Sequence, residues 1–222
     1  MPGPQSIPVA VGGATVTASL FGDAPRRTAI VLGHGAGGDR RTPFLVRLAE
    51  ALAASGRGVV LYNFPYTERG GKRPDPPAVL ESTTAAVHEA ARKAFAAERL
   101  VGGGKSMGGR IASQAVAKGA PADGLVFLGY PLHPPGKPEQ LRDAHLPAIT
   151  VPMLFVEGTR DAFARWDLLT AVLERLGPRA TLHAVEGGDH SFKVLKKSGR
   201  TPAAVEGEVH RAVLSWLDER GL

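Results

Sequence analysis

Arg99-Leu100-Val101-Gly102-Gly103-Gly104-Lys105-Ser106-Met107-Gly108-Gly109-Arg110 is the stretch that decides how this chain folds. Its apolar start reads as a strand. Gly104-Lys105-Ser106-Met107-Gly108 is a G-x-S-x-G turn, which sets a serine on a sharp bend between a strand and a helix. With 28 glycines in the chain, this motif arises by chance in about one such sequence in seven, so context must carry it. That context lies downstream. Gly158-Thr159-Arg160-Asp161 and then Gly188-Asp189-His190 each follow an apolar run, giving serine, acid and histidine in order at three strand ends.

Outward from the turn, strand and helix signals alternate. Residues 14–20 suggest an early edge strand. Thr28-Ala29-Ile30-Val31-Leu32 is a continuous apolar run, as expected of a strand buried on both faces. A helix is expected near 43–55, with Thr42 as N-cap, Pro43 at its first position and Gly56 just past its end. Gly58-Val59-Val60-Leu61-Tyr62 is the next strand. Residues 65–78 read as loop, and a helix follows near 79–97. Strands are expected at 99–102, 124–130, 152–157 and 180–186, and a final helix starts at Thr201-Pro202. This alternation predicts an α/β fold, a mostly parallel central sheet with helices on both faces.

The bulk composition fits one globular domain over residues 1–222, with 43% hydrophobic and 22% charged residues. No apolar run reaches the length of a membrane span, so no membrane insertion is expected. Met1-Pro2-Gly3-Pro4-Gln5 lacks a basic stretch followed by an apolar one, so no leader is expected. The chain has no cysteine, which excludes disulfides, thiolate metal sites and a cysteine nucleophile. No metal is expected, and a cytoplasmic location is. The net charge is +6, with clusters at Arg69/Lys72/Arg73 and Lys193/Lys196/Lys197/Arg200. No nucleic-acid motif accompanies them, so they read as solvated charge, with an anionic substrate as the alternative.

Each candidate residue has a chemical reason. Ser106 is the candidate nucleophile, inert until a base takes its proton. His190 is the candidate base, following the last strand. Asp161 is the candidate acid that fixes the imidazole tautomer; Asp189, adjacent to the histidine, is a weaker rival. His34-Gly35-Ala36-Gly37-Gly38 follows the first buried strand. The backbone N–H groups of Met107 and Ala36 are the candidates for an oxyanion hole. His34, Gly35, Tyr66, Arg69 and His133 are candidates for lining the substrate site. Two imitations fail. Gly104-Lys105-Ser106 resembles the end of a phosphate-binding loop, but that loop needs glycine at position 99, which is arginine. Gly33–Gly38 matches G-x-G-x-x-G, but the next helix waits until Thr42, and Asn63 rather than an acid ends the next strand. No cofactor is expected.

The chain resembles small bacterial α/β-hydrolases of the dienelactone-hydrolase-like group. More closely it resembles a subfamily that includes a testis-expressed protein and a subunit of a nuclear histone-acetyltransferase complex. The resemblance rests on His34–Gly37, Asn63-Phe64-Pro65-Tyr66, Gly102–Arg110, Gly129-Tyr130-Pro131-Leu132-His133-Pro134-Pro135-Gly136-Lys137-Pro138, Gly158–Asp161 and Gly188-Asp189-His190-Ser191-Phe192. It implies the α/β-hydrolase fold and the roles of nucleophile, acid and base for Ser106, Asp161 and His190. Dienelactone hydrolases use a cysteine nucleophile, where this chain has Ser106. Only residues 131–150 separate two strands where larger hydrolases insert a lid, so a minimal cap is expected. The reading is a serine hydrolase of a small-molecule ester or thioester, without nucleic-acid partners. The alternatives are a non-catalytic hydrolase fold serving as an interaction module, and acyl transfer to an acceptor other than water or perhydrolysis by the same residues.

Overall fold

Apolar residues at period two sort the strands into a sheet with two covered faces. In the computed structural model, which describes residues 4–222, Ile30 and Leu32 enter one core, while their neighbours Ala29 and Val31 enter another on the opposite face. Met1–Gly3, part of the segment read as lacking a leader, lie outside the described residues.

The chain opens with β1 (Gln5–Val11) and β2 (Ala14–Phe21), an antiparallel hairpin around Gly12-Gly13. There follow β3 (Thr28–Gly33), α1 (Pro43–Ala54), β4 (Gly58–Tyr62), the single turn α2 (Pro65–Glu68) and α3 (Pro77–Phe95). The second half holds β5 (Arg99–Lys105), α4 (Met107–Ala117), β6 (Gly124–Leu128), β7 (Met153–Gly158), α5 (Trp166–Leu176), β8 (Ala180–Val185) and α6 (Pro202–Glu219). The eight strands lie in the order β1-β2-β4-β3-β5-β6-β7-β8. β2 runs antiparallel to β4, and every pairing from β4 through β8 is parallel. Helices α1 and α6 cover one face; α3, α4 and α5 cover the other.

Four local expectations need correction. Residues 14–20 are not an edge strand, because β1 pairs along their whole length and takes the edge. The loop expected over 65–78 contains α2, and α3 begins inside it at Pro77. A further helix, α5, occupies 166–176, where none was read. Thr42 stands before α1 but its side chain does not cap it: the hydroxyl donates to the Asp39 carbonyl at 2.8 Å. Thr201 does cap α6, accepting from the Ala204 N–H at 3.1 Å. Among the described residues no helix is long and apolar enough to cross a membrane.

Two histidines sit inside this framework as neutral groups. His88 on α3 is fully buried, with Nδ1 2.9 Å from the Pro121 carbonyl, and burial pulls its imidazole down to about 4. His145, paired with the Ser113 hydroxyl at 2.7 Å, is likewise pulled down to about 4 by burial. Unfolding frees both to take protons at the ordinary value of about 6.5. Acid therefore favours the unfolded chain between those two values. The urea midpoint is expected to fall as pH is lowered through that window, and His88→Asn to flatten the slope; a pH-independent midpoint in the wild type would contradict this account.

Candidate active site

Two bare stretches of backbone meet where β5 ends. Ser106 sits between β5 and α4 with φ 50 and ψ −115. A non-glycine residue in that region carries strain of about 1–3 kcal/mol. The bend is held at both sides: the Ser106 N–H donates to Leu128 O at 3.1 Å, and Arg110 N–H donates to Ser106 O at 3.1 Å. The two motif glycines are fixed by a neighbour. A Cβ on Gly104 or on Gly108 would stand 2.2 Å from the carbonyl oxygen of Gly33, at the end of β3. No side chain fits either position, so β3 and the start of α4 touch directly.

The C-terminal strand ends bring three side chains together. His190 Nε2 lies 2.8 Å from Ser106 Oγ, and His190 Nδ1 lies 2.6 Å from Asp161 Oδ2. The ionised carboxylate is an acceptor, so Nδ1 carries the proton and Nε2 presents its lone pair to the serine hydroxyl. Asp161 Oδ1 accepts from the Phe163 N–H at 2.7 Å, and the Phe163 ring stacks on the imidazole at 4.2 Å. The Asp161 side chain is fully buried, and that of His190 is 20% exposed. Burial by itself would raise the Asp161 carboxyl; the hydrogen bond and charge of His190, with the neighbouring Glu157, outweigh it and hold the group below the ordinary aspartate value. Asp189, the rival acid, turns away and accepts from the Ser191 and Lys193 N–H groups.

The loop after β3 lies against the serine. A Cβ on Gly35 would be 3.6 Å from Ser106 Cβ, and Gly38 N–H closes a turn onto Gly35 O at 3.0 Å. Ala36 is exposed at its tip. Met107 opens α4, where a first-turn N–H has no acceptor within the helix. A cleft of about 550 Å³ opens beside this loop, lined by Gly37, Gly38, Asp39, Arg41, Thr67 and Gly71 among others.

Most of the proposed lining lies elsewhere. His34 is fully buried: Nδ1 donates to Gly35 O at 2.8 Å, while Nε2 accepts from the Phe64 N–H at 3.3 Å. Burial holds it below the ordinary histidine value, so it braces the loop as a neutral ring. Tyr66 is 2% exposed, beneath the loop with its ring against Phe64. Arg69 is exposed but pairs with Asp75 at 2.5 Å, closing its own loop. His133 is 3% exposed and turned inward. Its Nε2 accepts from the Arg165 N–H at 2.9 Å and its Nδ1 donates to Pro134 O at 2.8 Å, tying the short cap to the turn after Asp161. Of the five, Gly35 stands at the serine.

Three residues here lie outside the expectations drawn from the sequence. Phe163 gave no signal, being one apolar residue in a turn. Lys105 was visible inside the motif; its ammonium donates to the carbonyl oxygen of His190 and lies 5.2 Å over the Phe192 ring. Burial pulls that ammonium down to about 8, against the fields of Glu157, Asp161 and Asp189. Glu157 had the clearest unused signal, an ionisable residue in the otherwise apolar strand Met153–Gly158.

A parallel sheet in this order, with a serine turn after its fifth strand, an acid after its seventh and a histidine after its eighth, defines an alpha/beta hydrolase. The chain belongs to the alpha/beta hydrolase domain family, whose model matches residues 26–218. Among solved structures it is similar to an α/β serine hydrolase without lid from Xanthomonas campestris, at 18% identity and TM-score 0.74, covering 97% of this chain and 96% of that one. A dienelactone hydrolase from Anabaena variabilis has 20% identity and TM-score 0.73, with 97% and 98% covered. Thermogutta terrifontis esterase 2, phosphoramylated by tabun, has 19% identity and TM-score 0.77, with 100% and 96% covered. At these identities the likeness is one of fold.

The close contact at Gly33 makes a reversed substitution effect. In a helix, Gly→Ala ordinarily stabilises by about 0.5–1 kcal/mol. Gly108→Ala is expected to destabilise by about 1–3 kcal/mol through overpacking against backbone that cannot step aside. Chemical denaturation decides the sign; a gain in stability would show that β3 and α4 can separate without cost.

Proposed function

We propose that the chain, as a single domain, is a serine hydrolase cleaving a carboxylic ester or thioester through an acyl-enzyme formed on Ser106. One observation carries the reading: a strained, partly exposed serine hydroxyl sits 2.8 Å from the free nitrogen of an imidazole whose other nitrogen is held by a buried carboxylate. That is the arrangement needed to activate a serine.

In this reading His190 takes the Ser106 proton as Oγ attacks the substrate carbonyl. Asp161 holds the imidazole tautomer and stabilises the imidazolium that forms. The tetrahedral oxyanion is received by the backbone N–H groups of Met107 and Ala36, at the N-terminal end of α4, where the helix dipole favours negative charge. His190 then hands the proton to the departing alcohol or thiol. Water, activated by the same imidazole, releases the acid. The short cap over residues 131–150 supplies little surface to enclose a long fatty chain, which favours a compact substrate. Within the family, the motif set resembles that of the subfamily named from its sequence, which supports a place beside it.

Short-chain p-nitrophenyl esters are expected to be hydrolysed, with an acid limb where protonated imidazole stops acting as base. Ser106→Ala is expected to lower kcat by about 10³ or more. A fluorophosphonate should label Ser106 in the wild type, not in Ser106→Ala, and far more slowly in His190→Ala. If two probes of different size both leave the folded wild type unlabelled, the hydrolase reading gives way to the interaction module.

A further inference from the structure

Glu157 is an ionisable group that the hydrolase reading does not use, and it lies directly beneath the triad. It is fully buried at the C-terminal end of β7, four residues before Asp161. Its Oε2 accepts from the Tyr130 N–H at 2.7 Å. Its Oε1 is buried and meets no donor. The group beside it is another acceptor: a Glu157 oxygen, an Asp161 oxygen and a His190 nitrogen all lie within 4.8 Å of one another.

Two carboxylates this close and out of water are not both ionised, because each raises the cost of charging the other. The contacts decide which one keeps the proton. Asp161 has donors on both oxygens, the His190 Nδ1–H and the Phe163 N–H. Glu157 has one backbone donor and a bare Oε1. The charged group on the other side is Lys105 from β5; its ammonium donates to the His190 carbonyl, so it reaches Glu157 through its field rather than through a hydrogen bond, and Asp189 from the loop after β8 acts on that ammonium.

The geometry points to Glu157 as a neutral carboxylic acid whose Oε1–H donates to Asp161, making it a positioning residue that orients the triad carboxylate and keeps it ionised. With that proton in place, the unpartnered oxygen becomes a donor with an acceptor in reach, and the buried pair carries one negative charge instead of two. Burial and the neighbouring Asp161 both push the Glu157 carboxyl well above the ordinary carboxylate range, in accord with that geometry. The catalytic consequence rests on the proposed triad; the location of the proton does not.

Glutamine is the informative replacement. Its carbonyl can still accept from Tyr130 and its amide can still donate to Asp161, while its charge is zero at every pH. The infrared difference spectrum between wild type and Glu157→Gln at neutral pH is expected to show a protonated carboxyl band in the wild type that the variant lacks. A difference confined to carboxylate bands would overturn the proposal, and this measurement needs no enzymatic activity. In ester hydrolysis, Glu157→Leu is expected to lower kcat about 10–100-fold, the worth of a lost hydrogen bond to a charged group, with KM unchanged. Glu157→Gln is expected to recover most of that loss and to leave the acid limb in place. An anionic Glu157 would instead move that limb about one pH unit or more lower on conversion to glutamine, and that shift, or equal kcat losses in two folded variants, would overturn the donor role. If Glu157→Leu does not fold, the infrared band and the acid limb of Glu157→Gln decide the matter. If no esterase activity is found at all, the infrared band still tests the proton while the hydrolase reading fails separately.

Discussion

The direct contact of the serine turn with the end of β3 is the constraint on which the rest of this molecule depends. Gly104 and Gly108 both press on the Gly33 carbonyl, leaving no space for a Cβ. Because the backbones touch, α4 starts immediately beyond the serine and its open N-terminal end points at the place where charge would develop. The same contact lays the Gly35–Gly38 loop against Ser106. Strain at the serine is tolerated because α4 is anchored by buried Ile111, Ala112 and Ala115, so the bend cannot relax without exposing them.

A second layer of interactions lies beneath the three proposed catalytic side chains. Lys105 precedes the serine and donates to the carbonyl of His190, so the strand that carries the nucleophile also grips the loop that carries the base. Phe163 follows the acid and stacks on the imidazole, so the acid loop limits the tilt of the ring. His133 ties the short cap to the same loop. Polar groups packed this closely out of water demand a strict balance of charge, and a neutral Glu157 beside an ionised Asp161 meets that demand with one proton.

The parts of the fold legible in the sequence were those set by local pattern. Runs such as Thr28–Leu32 and Gly58–Tyr62 marked β3 and β4, because strands buried on both faces admit little but apolar residues. β1 escaped because Gln5–Val11 is half exposed, interrupted by Pro8, and buries only Val9 and Val11. β2 was therefore mistaken for an edge. The overlooked α5 was legible in principle, since Leu169, Val172, Leu173 and Leu176 recur at helical spacing. Loop side chains were the least legible. Nothing near His34 or His133 in sequence says which way a ring turns, and both turned inward because each found backbone partners for its two nitrogens.

The sequence by itself determined the alternation of buried strands and helices from β3 onward, apart from α2 and α5, the glycine-flanked bend at Ser106, and the succession of serine, acid and histidine, because these follow from periodicity and from the backbone freedom of glycine. Only the tertiary structure decided that β5, β7 and β8 deliver those residues to one point at the sheet's C-terminal edge, since that requires parallel pairing between segments far apart in the chain. It alone decided that Glu157 and Asp161 share a dry site beside Lys105. Burial, and with it the protonation of a carboxyl group, depends on neighbours that the local sequence does not name.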